Sequence, residues 1–235
     1  FVVWHKGWQA ADLNSWSGSG LADDTEIHNT LLLNGQGQRT PILDPRYSAN
    51  DPGYGRIAAV HSSTAVPGLR AVIGDAAAAY GVSEDFGRAV RLNLQRFDRL
   101  LVHYRNMVVV GDSVVTVNGA ADEITYLVHS RGDFQVVPGD LRTYVTASPC
   151  GESMYTGTGC VETMAGGRMV HTTVFPTSPD LRTQSGYTGR ESPNIQGSGL
   201  HLDVTGPAVV MLNAMAFTDR TSTALPVVQS IASPS

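Results

Sequence analysis

Apolar and polar residues alternate along two segments in the middle of the chain. Positions 88–95 read RAVRLNLQ, in which Val90, Leu92 and Leu94 alternate with polar residues, the pattern of a half-buried strand. Positions 100–117 contain the β-branched runs MVVV and SVVTV on either side of a Gly-Asp pair. Further strands are predicted at 31–34, 57–60, 71–73, 124–128, 134–137, 141–146, 169–175, 200–204 and 209–217.

The segments between these strands contain turn signals. Asn118-Gly119 precedes the alternating run at 124–128 and predicts a β-hairpin there. Positions 177–199 are rich in Ser, Pro, Gly and Thr, and we expect a long surface loop. The segment DAAAAY at 75–80 is the one helical candidate, but six residues are too few for a stable isolated helix, so its neighbours could equally draw it into a sheet.

Regularly spaced strands and few helical signals predict an all-β chain folded as an antiparallel two-sheet β-sandwich. The composition agrees, because charged residues make up only 16% of the 235 residues and the chain contains 25 Gly and 12 Pro. We expect the sandwich domain to cover residues 1–225, followed by a C-terminal tail at 226–235.

The charge of the chain disfavours two classes of partner. A net charge of −5 offers no basic excess for nucleic acid, and Lys6 is the only lysine, so no polybasic membrane patch exists. No apolar run is long enough to span a membrane. Because the sequence opens on Phe1 and not on Met, we expect a processed chain, a subunit or a piece of something longer.

The two cysteines, Cys150 and Cys160, lie in the polar, turn-like segment SPCGESMYTGTGC. This spacing can close a small loop, and we favour a disulfide between them. A disulfide would indicate a secreted or periplasmic protein. Two unpaired thiols in a cytosolic protein remain the alternative.

Several motifs, in their order and spacing, resemble the heparinase II/III-like polysaccharide lyases. The most informative is IHNTLLLNGQGQ at 27–38, with its His-Asn-Thr entering an apolar strand. ADLNSW at 11–16 is similar to the family's Ala-Asp-x-x-Ser-aromatic, and GDAAAAYG at 74–81 to its Gly-Asp-Ala…Ala-Tyr. Positions 88–112 resemble its paired Arg-rich and Val-rich strands, and 127–129 its later sheet. Beyond these motifs, only the strand pattern is shared.

This resemblance implies part of an enzyme that cleaves uronate-containing polysaccharides, such as heparan sulfate or alginate, by β-elimination. In the family an α/α toroid precedes the β-sandwich, and the substrate cleft lies between them. The reaction needs neutralisation of the uronate carboxylate, a base for the C5 proton and an acid for the leaving oxygen. A structural divalent metal, zinc or calcium, often lies nearby; no other cofactor is implied.

The toroid is absent from this chain, since no run of amphipathic helices is readable. The resemblance therefore implies two partners: an acidic polysaccharide, and an N-terminal α/α toroid domain or a separate helical chain. Alone, the chain is expected to be inactive and to form one wall of the substrate cleft.

The sequence departs from the family where the family usually has His-x-His-x-Asp. Counting back from Asp12, the two histidine positions fall on Trp8 and Ala10. Neither residue can exchange a proton in the required range or bind a metal. A degenerate site, and hence a non-catalytic carbohydrate-binding or scaffold module, is the alternative function.

His5 and His28 are the candidate catalytic residues. His5 lies near the altered motif and could replace the missing base, or be a solvated histidine beside Lys6. His28, with Asp24 or Asp23 close by, could be a metal ligand or a substrate contact. Asp-x-x-x-His also occurs by chance, and such residues often form turn hydrogen bonds.

Trp4, Trp8, Asp12 and Asn14 are the candidate substrate-binding residues. Aromatic faces beside polar side chains suit stacking on sugar rings. Alternatively, the tryptophans anchor the first strands in the core, and Asp12 caps a turn. The histidines at later positions are expected to be structural, and no role is assigned to His61, His103, His129, His171 or His201. An interaction module unrelated to sugars is the remaining possibility.

Overall fold

The computed structural model describes residues 1, 3–4, 8–10, 25–38, 55–84, 89–147, 166–188, 196–222 and 224–226. Within them the chain forms strands and short 3₁₀ turns, and no α-helix. The strands are β1 (Val3–Trp4), β2 (Trp8–Ala10), β3 (Leu31–Leu33), β4 (Arg56–Ser62), β5 (Arg70–Asp75), β6 (Gly81–Glu84), β7 (Ala89–Leu92), β8 (Leu94–Tyr104), β9 (Met107–Thr116), β10 (Asp122–Ser130), β11 (Gln135–Val137), β12 (Asp140–Ala147), β13 (Gly167–Phe175), β14 (Asp180–Thr188), β15 (Gln196–Gly206) and β16 (Ala208–Asp219).

Two antiparallel sheets of unequal size make up the sandwich, as predicted. The larger has eight strands in the order β11-β12-β13-β16-β9-β8-β5-β4, and the smaller has four in the order β14-β15-β10-β3. Two short ribbons, β1-β2 and β6-β7, complete the described strands. All seven residues of β4 are exposed, so no described strand of the small sheet covers this edge of the large sheet.

The core lies between the facing sides of the two sheets. On β9, buried and half-buried residues alternate along the whole strand, with Val110 and Val114 directed inward. On β10, Ile124, Tyr126 and Val128 belong to the same hydrophobic cluster. The aliphatic and aromatic side chains of the two sheets thus share one hydrophobic core.

The predicted hairpin at Asn118-Gly119 is wrong. Residues Val117–Gly119 form a 3₁₀ turn that carries the chain from β9 in the large sheet to β10 in the small one. A hairpin cannot form here because both edges of β9 are already paired, one with β8 and the other with β16. The left-handed φ of +64° at Gly119 explains why the turn chemistry resembles that of a hairpin.

The loop predicted at 177–199 is also wrong over much of its length. β14 occupies Asp180–Thr188 and pairs with β15 along its length, while residues 189–195 lie outside the described residues. β14 forms an edge of the small sheet, and four of its side chains are exposed, those of Asp180, Arg182, Thr183 and Ser185. Among its described side chains only Leu181 packs against the core cluster, which is why no apolar alternation is visible there.

The segments around 75–80 and 88–95 differ from prediction in detail. Asp75 ends β5, and Ala77–Tyr80 form a 3₁₀ turn whose first amide donates to the Asp75 carboxylate at 3.2 Å. At 88–95, Asn93 divides the expected strand, so that β7 joins the small ribbon and β8 the large sheet. Of the predicted tail at 226–235 only residue 226 is described, and the domain boundary stays a prediction. None of the described residues forms a helix that could cross a membrane.

Candidate functional site

The segment at 25–30, here called the His28 turn, leads directly into β3. Thr25–Ile27 form a 3₁₀ turn, the amide of His28 donates to the carbonyl of Thr25 at 3.1 Å, and the amide of Thr30 donates to the carbonyl of His28 at 2.9 Å. β3 then pairs with β10 at the edge of the small sheet. The His28 side chain is half-buried at this edge.

Asn29 ties the His28 turn to three other segments. It is almost fully buried, and its Nδ2 donates to the carbonyl of Phe1 at 2.7 Å. Its Oδ1 accepts the backbone N–H of His129 at 2.7 Å, and its own carbonyl accepts a 2.7 Å bond from Nη1 of Arg99. Both ends of the amide and the backbone carbonyl are therefore satisfied, as buried polar groups require.

Arg99 belongs to a buried ion pair. Its Nε and Nη2 donate to the two carboxylate oxygens of Asp112 at 2.7 and 2.9 Å, and the exposed fractions of the two side chains are 12% and 0%. The guanidinium also lies 5.5 Å from the ring centroid of Phe97 and 5.7 Å from that of Tyr126. Burial alone would lower the pKa of Arg99, but the facing Asp112 carboxylate outweighs it and raises that pKa.

Tyr80 holds the other side of the turn. Its hydroxyl donates to the carbonyl of Leu31 at 2.8 Å and lies 3.2 Å from Oγ1 of Thr30. Burial raises the pKa of Tyr80, so the hydroxyl stays protonated and available as a donor. Gln38 closes the segment, because its amide donates to Oγ1 of Thr25 at 2.6 Å and its Nε2 to Oγ1 of Thr30 at 3.3 Å.

A groove of about 280 Å³ opens beside Thr30, where the large sheet extends past the small one. Phe97 and Arg99 lie along it, together with Val72 of β5. Arg56, 76% exposed in its side chain, stands on β4 and pairs with Asp75 at 3.1 Å. This volume is at the lower end of ligand-site sizes, so the groove suits one small group of a larger, extended ligand.

Several predicted site residues lie outside the described residues. These are His5, Asp12, Asn14, Asp24, Cys150 and Cys160. Trp4 and Trp8 face each other in the β1-β2 ribbon, which places their backbones side by side; their side chains are outside the description. The candidate substrate residues, and the disulfide, therefore stay predictions.

Ala10, at the second lost histidine position, is completely buried. β2 packs against β10 and β13, and Ala10 is part of the hydrophobic core cluster. An alanine here fills an interior position. The structure thus gives residue 10 a packing role.

The metal prediction rests on His28 and Asp24, of which only His28 is described. Among the described residues, no three His, Cys, Asp or Glu side chains come together to hold an ion. His28 is therefore the one described member of the predicted donor set, and the metal site stays a prediction.

Arg99, Asp112 and Asn29 were not identified as site residues from the sequence. A signal was present: Arg99 lies two residues after Phe97 on β8, and Asp112 two residues after Val110 on β9, so each shares the inward face of a buried apolar residue. Opposite charges at facing inward positions indicate a buried pair.

Of the later histidines, His129, His171 and His201 are interior residues, whereas His61 and His103 are exposed on β4 and β8. His129 and His201 are buried with ring centroids 6.5 Å apart, and His201 pairs with Leu127 in the register of β10 and β15. Burial, with Arg182 nearby, lowers the pKa of His201 to about 4. It is a neutral imidazole near neutral pH.

Comparison with known proteins shows similarity in structure. No protein-family model and no curated protein sequence matches the chain. Among solved structures, a heparinase III described as the BT4657 gene product superimposes with a TM-score of 0.59 over 93% of this chain at 10% identity. The heparan sulfate lyase HepC from Pedobacter heparinus gives 0.58 over 91% at 11% identity, and a further heparinase III gives 0.51 over 91% at 8%.

These similarities confirm, at the level of the fold, the predicted relationship to heparinase-type polysaccharide lyases. The chain spans only 29% of the length of the first heparinase III and 28% of HepC. It thus corresponds to one part of those larger chains. The superpositions show a shared fold. Because the identities are only 8 to 11%, the activity has to be argued from the site.

Proposed function

We propose that the chain is the β-sandwich portion of a polysaccharide lyase that cleaves a uronate-containing polysaccharide by β-elimination. It forms one wall of the substrate cleft, and an α/α toroid domain or a separate helical chain forms the other. The observation that supports this most directly is the His28 turn. Its His-Asn-Thr is held by a buried network at the sheet edge, beside an open groove, on the fold of heparinase III.

The reaction assigns distinct tasks to the two walls. The base that removes the C5 proton must reach the sugar, and the half-buried His28 is our candidate on this wall, with His5 as the second. Arg56, exposed beside the groove, can approach the uronate carboxylate and offset its charge. The remaining acid and base groups come from the helical wall, so this chain alone is inactive.

The other proposed contacts lie near the start of the chain. Trp4 and Trp8 would stack on sugar rings, and Asp12 and Asn14 would bind sugar hydroxyls. Where His5 is the base, His28 would instead hold a structural zinc or calcium ion together with Asp24 and the rest of a donor set. An extended polysaccharide substrate also suggests a secreted or periplasmic protein.

A lyase assay tests the proposal. β-Elimination creates an unsaturated uronate whose ultraviolet absorbance reports each cleavage. In the protein that joins this chain to its helical wall, we expect cleavage of heparan sulfate or alginate. His28→Ala should lower kcat/KM by about 10²-fold or more, the usual contribution of a general base.

The matched control is His103→Ala. His103 is an exposed histidine on β8 that lines neither the His28 turn nor the groove, and its loss should leave the rate unchanged. Absence of an unsaturated product from every uronate polymer tested would overturn the lyase proposal.

A second function is favoured by positions 8 and 10. Trp8 and Ala10 stand where the related motif carries histidines, and Ala10 is buried in the core, which suits a carbohydrate-binding module without catalysis. Such a module would bind uronate oligosaccharides as the 235-residue chain alone. Trp4→Ala or Trp8→Ala would abolish that binding, and the assembled protein would release no unsaturated product.

A further inference from the structure

We infer that Arg99 is a positioning residue for His28, acting through the backbone of Asn29. The inference rests on the proposed function in one respect: it takes the His28 turn to be part of the substrate cleft. In this assignment Arg99 binds no substrate group. Its role is to fix where the backbone of the turn lies relative to the large sheet.

The geometry of the guanidinium makes this possible. Two of its N–H groups bind the two oxygens of Asp112, which fixes both the position and the plane of the fork. The direction of Nη1 is then determined, and that group donates to the carbonyl of Asn29 at 2.7 Å. Asp112 is fully buried on β9, so the guanidinium is anchored to a central strand of the large sheet.

The carbonyl held by Arg99 belongs to the residue directly after His28. On its other side, His28 is restrained by the bond from its amide to Thr25. The side chain of Asn29 adds bonds to Phe1 and to the amide of His129. The His28 turn is therefore fixed from both sheets at once, and Arg99 supplies the contact from the large sheet.

A lysine at position 99 cannot reproduce these contacts. Its ammonium is a single point on a flexible stem, whereas the planar fork binds a carboxylate and a carbonyl in a fixed relative orientation. Arg99→Lys keeps the charge next to Asp112 and loses the defined bond to Asn29. We expect the turn to shift while the ion pair persists.

The test is nuclear magnetic resonance of the 235-residue chain, comparing the native protein with Arg99→Lys. We expect the amide signals of residues 28–30 and the imidazole ring signals of His28 to move. The amide of His129, bound to Asn29, should exchange with solvent about tenfold faster, the change that corresponds to about 1.4 kcal/mol.

Two controls separate positioning from loss of stability. Val110→Ala removes buried volume from β9 without touching the network, and should destabilise the chain while leaving the amide and ring signals of His28 unchanged. Arg182→Lys alters another ion pair, the 51% exposed contact with Asp203 on β15, and should leave the His28 turn unchanged as well. If Arg99→Lys does not fold, the same spectra are recorded for Asp112→Glu, because the longer side chain displaces the Arg99 guanidinium that it binds.

Unchanged amide and ring signals of His28 in the folded variants would overturn the inference. This result is distinct from failure of the proposed function. If the assembled native protein cleaves no uronate polymer, the lyase proposal fails while the spectral comparison still decides the role of Arg99. If cleavage occurs, Arg99→Lys should lower kcat far more than it raises KM, because a displaced base affects the chemical step.

Discussion

The imidazole of His171 and the phenol ring of Tyr126 lie 6.1 Å apart between their ring centroids, fully enclosed between the two sheets. Neither ring nitrogen of His171 is hydrogen-bonded to another described residue. Burial lowers the pKa of His171 to about 4 from its ordinary 6.5, because no partner compensates a charge there. It also raises the pKa of Tyr126, so both groups are neutral.

The stability of the chain should therefore fall in mild acid. Above pH 6.5 His171 is neutral in both the folded and the unfolded chain. Between pH 6.5 and about 4 only the unfolded chain takes up the proton, so the free energy of unfolding decreases by about 3 kcal/mol across that window. Urea unfolding as a function of pH measures this.

His171→Leu is the matched variant for that experiment. It should flatten the slope between pH 6.5 and 4 without abolishing it, since the pKa of His201 is lowered in the same way. An identical slope in the variant would contradict the assignment to His171.

A second prediction concerns the buried ion pair between Arg99 and Asp112. Asp112→Asn leaves the Arg99 guanidinium in the interior without its counter-charge, and should lower the free energy of unfolding by about 3 to 5 kcal/mol. The double variant Arg99→Met/Asp112→Leu should be less destabilised than the sum of its single changes. Denaturant unfolding of the native protein, Arg99→Met, Asp112→Leu and the double variant gives the coupling free energy between the two side chains. Additive single effects would show that the two side chains are not energetically coupled.

Tyr80→Phe tests the support on the opposite side of the His28 turn. The change removes the hydroxyl that donates to Leu31 at 2.8 Å and leaves a buried carbonyl unsatisfied. We expect a loss of about 1 to 3 kcal/mol in thermal or denaturant unfolding. Tyr104→Phe, at the half-buried end of β8, is the control and should change stability by less than about 0.5 kcal/mol. Equal effects of the two changes would refute a special role for the Tyr80 hydroxyl.

The predicted disulfide between Cys150 and Cys160 can be measured directly. Closing so short a loop should contribute about 3 kcal/mol by restricting the unfolded chain. Mass spectrometry of the protein from an oxidising compartment should show two hydrogens fewer than the dithiol form. Titration of two free thiols in that protein would exclude the disulfide.

β9 was readable from the sequence because buried and half-buried residues alternate along it, whereas β10 is buried at every position from Ile124 to Ser130 and was readable from its residue types. β9 and β10 carry β-branched and aromatic residues at their buried positions, and such patterns predict strands from local information. β14 was missed because an edge strand with few buried positions need not alternate. The 3₁₀ turn at Val117–Gly119 was predicted as a hairpin because the partner of each strand is determined by distant segments of the chain.

The same distinction applies to the site. His28 stands in a recognisable motif, so a local pattern was sufficient to select it. Arg99 meets Asn29 across a separation of 70 residues, and only the packing of one sheet on the other creates that contact. The sequence carries the charges of Arg99 and Asp112, but their relation to the His28 turn depends on the tertiary fold.

The outermost strands of the large sheet have a consequence for self-association. β4 and β11 form its edges in the described part of the chain, and each carries a register irregularity, at Ile57/Ala59 and at Val136/Val137. Such irregularities twist a strand and interrupt the regular row of amide and carbonyl groups that would template another chain. A broad sheet with exposed apolar residues such as Ile57 and Val60 is thereby protected against growing into an intermolecular β-structure. Straightening β4 by deleting its extra residue, Ala58, should therefore promote association between chains through this edge.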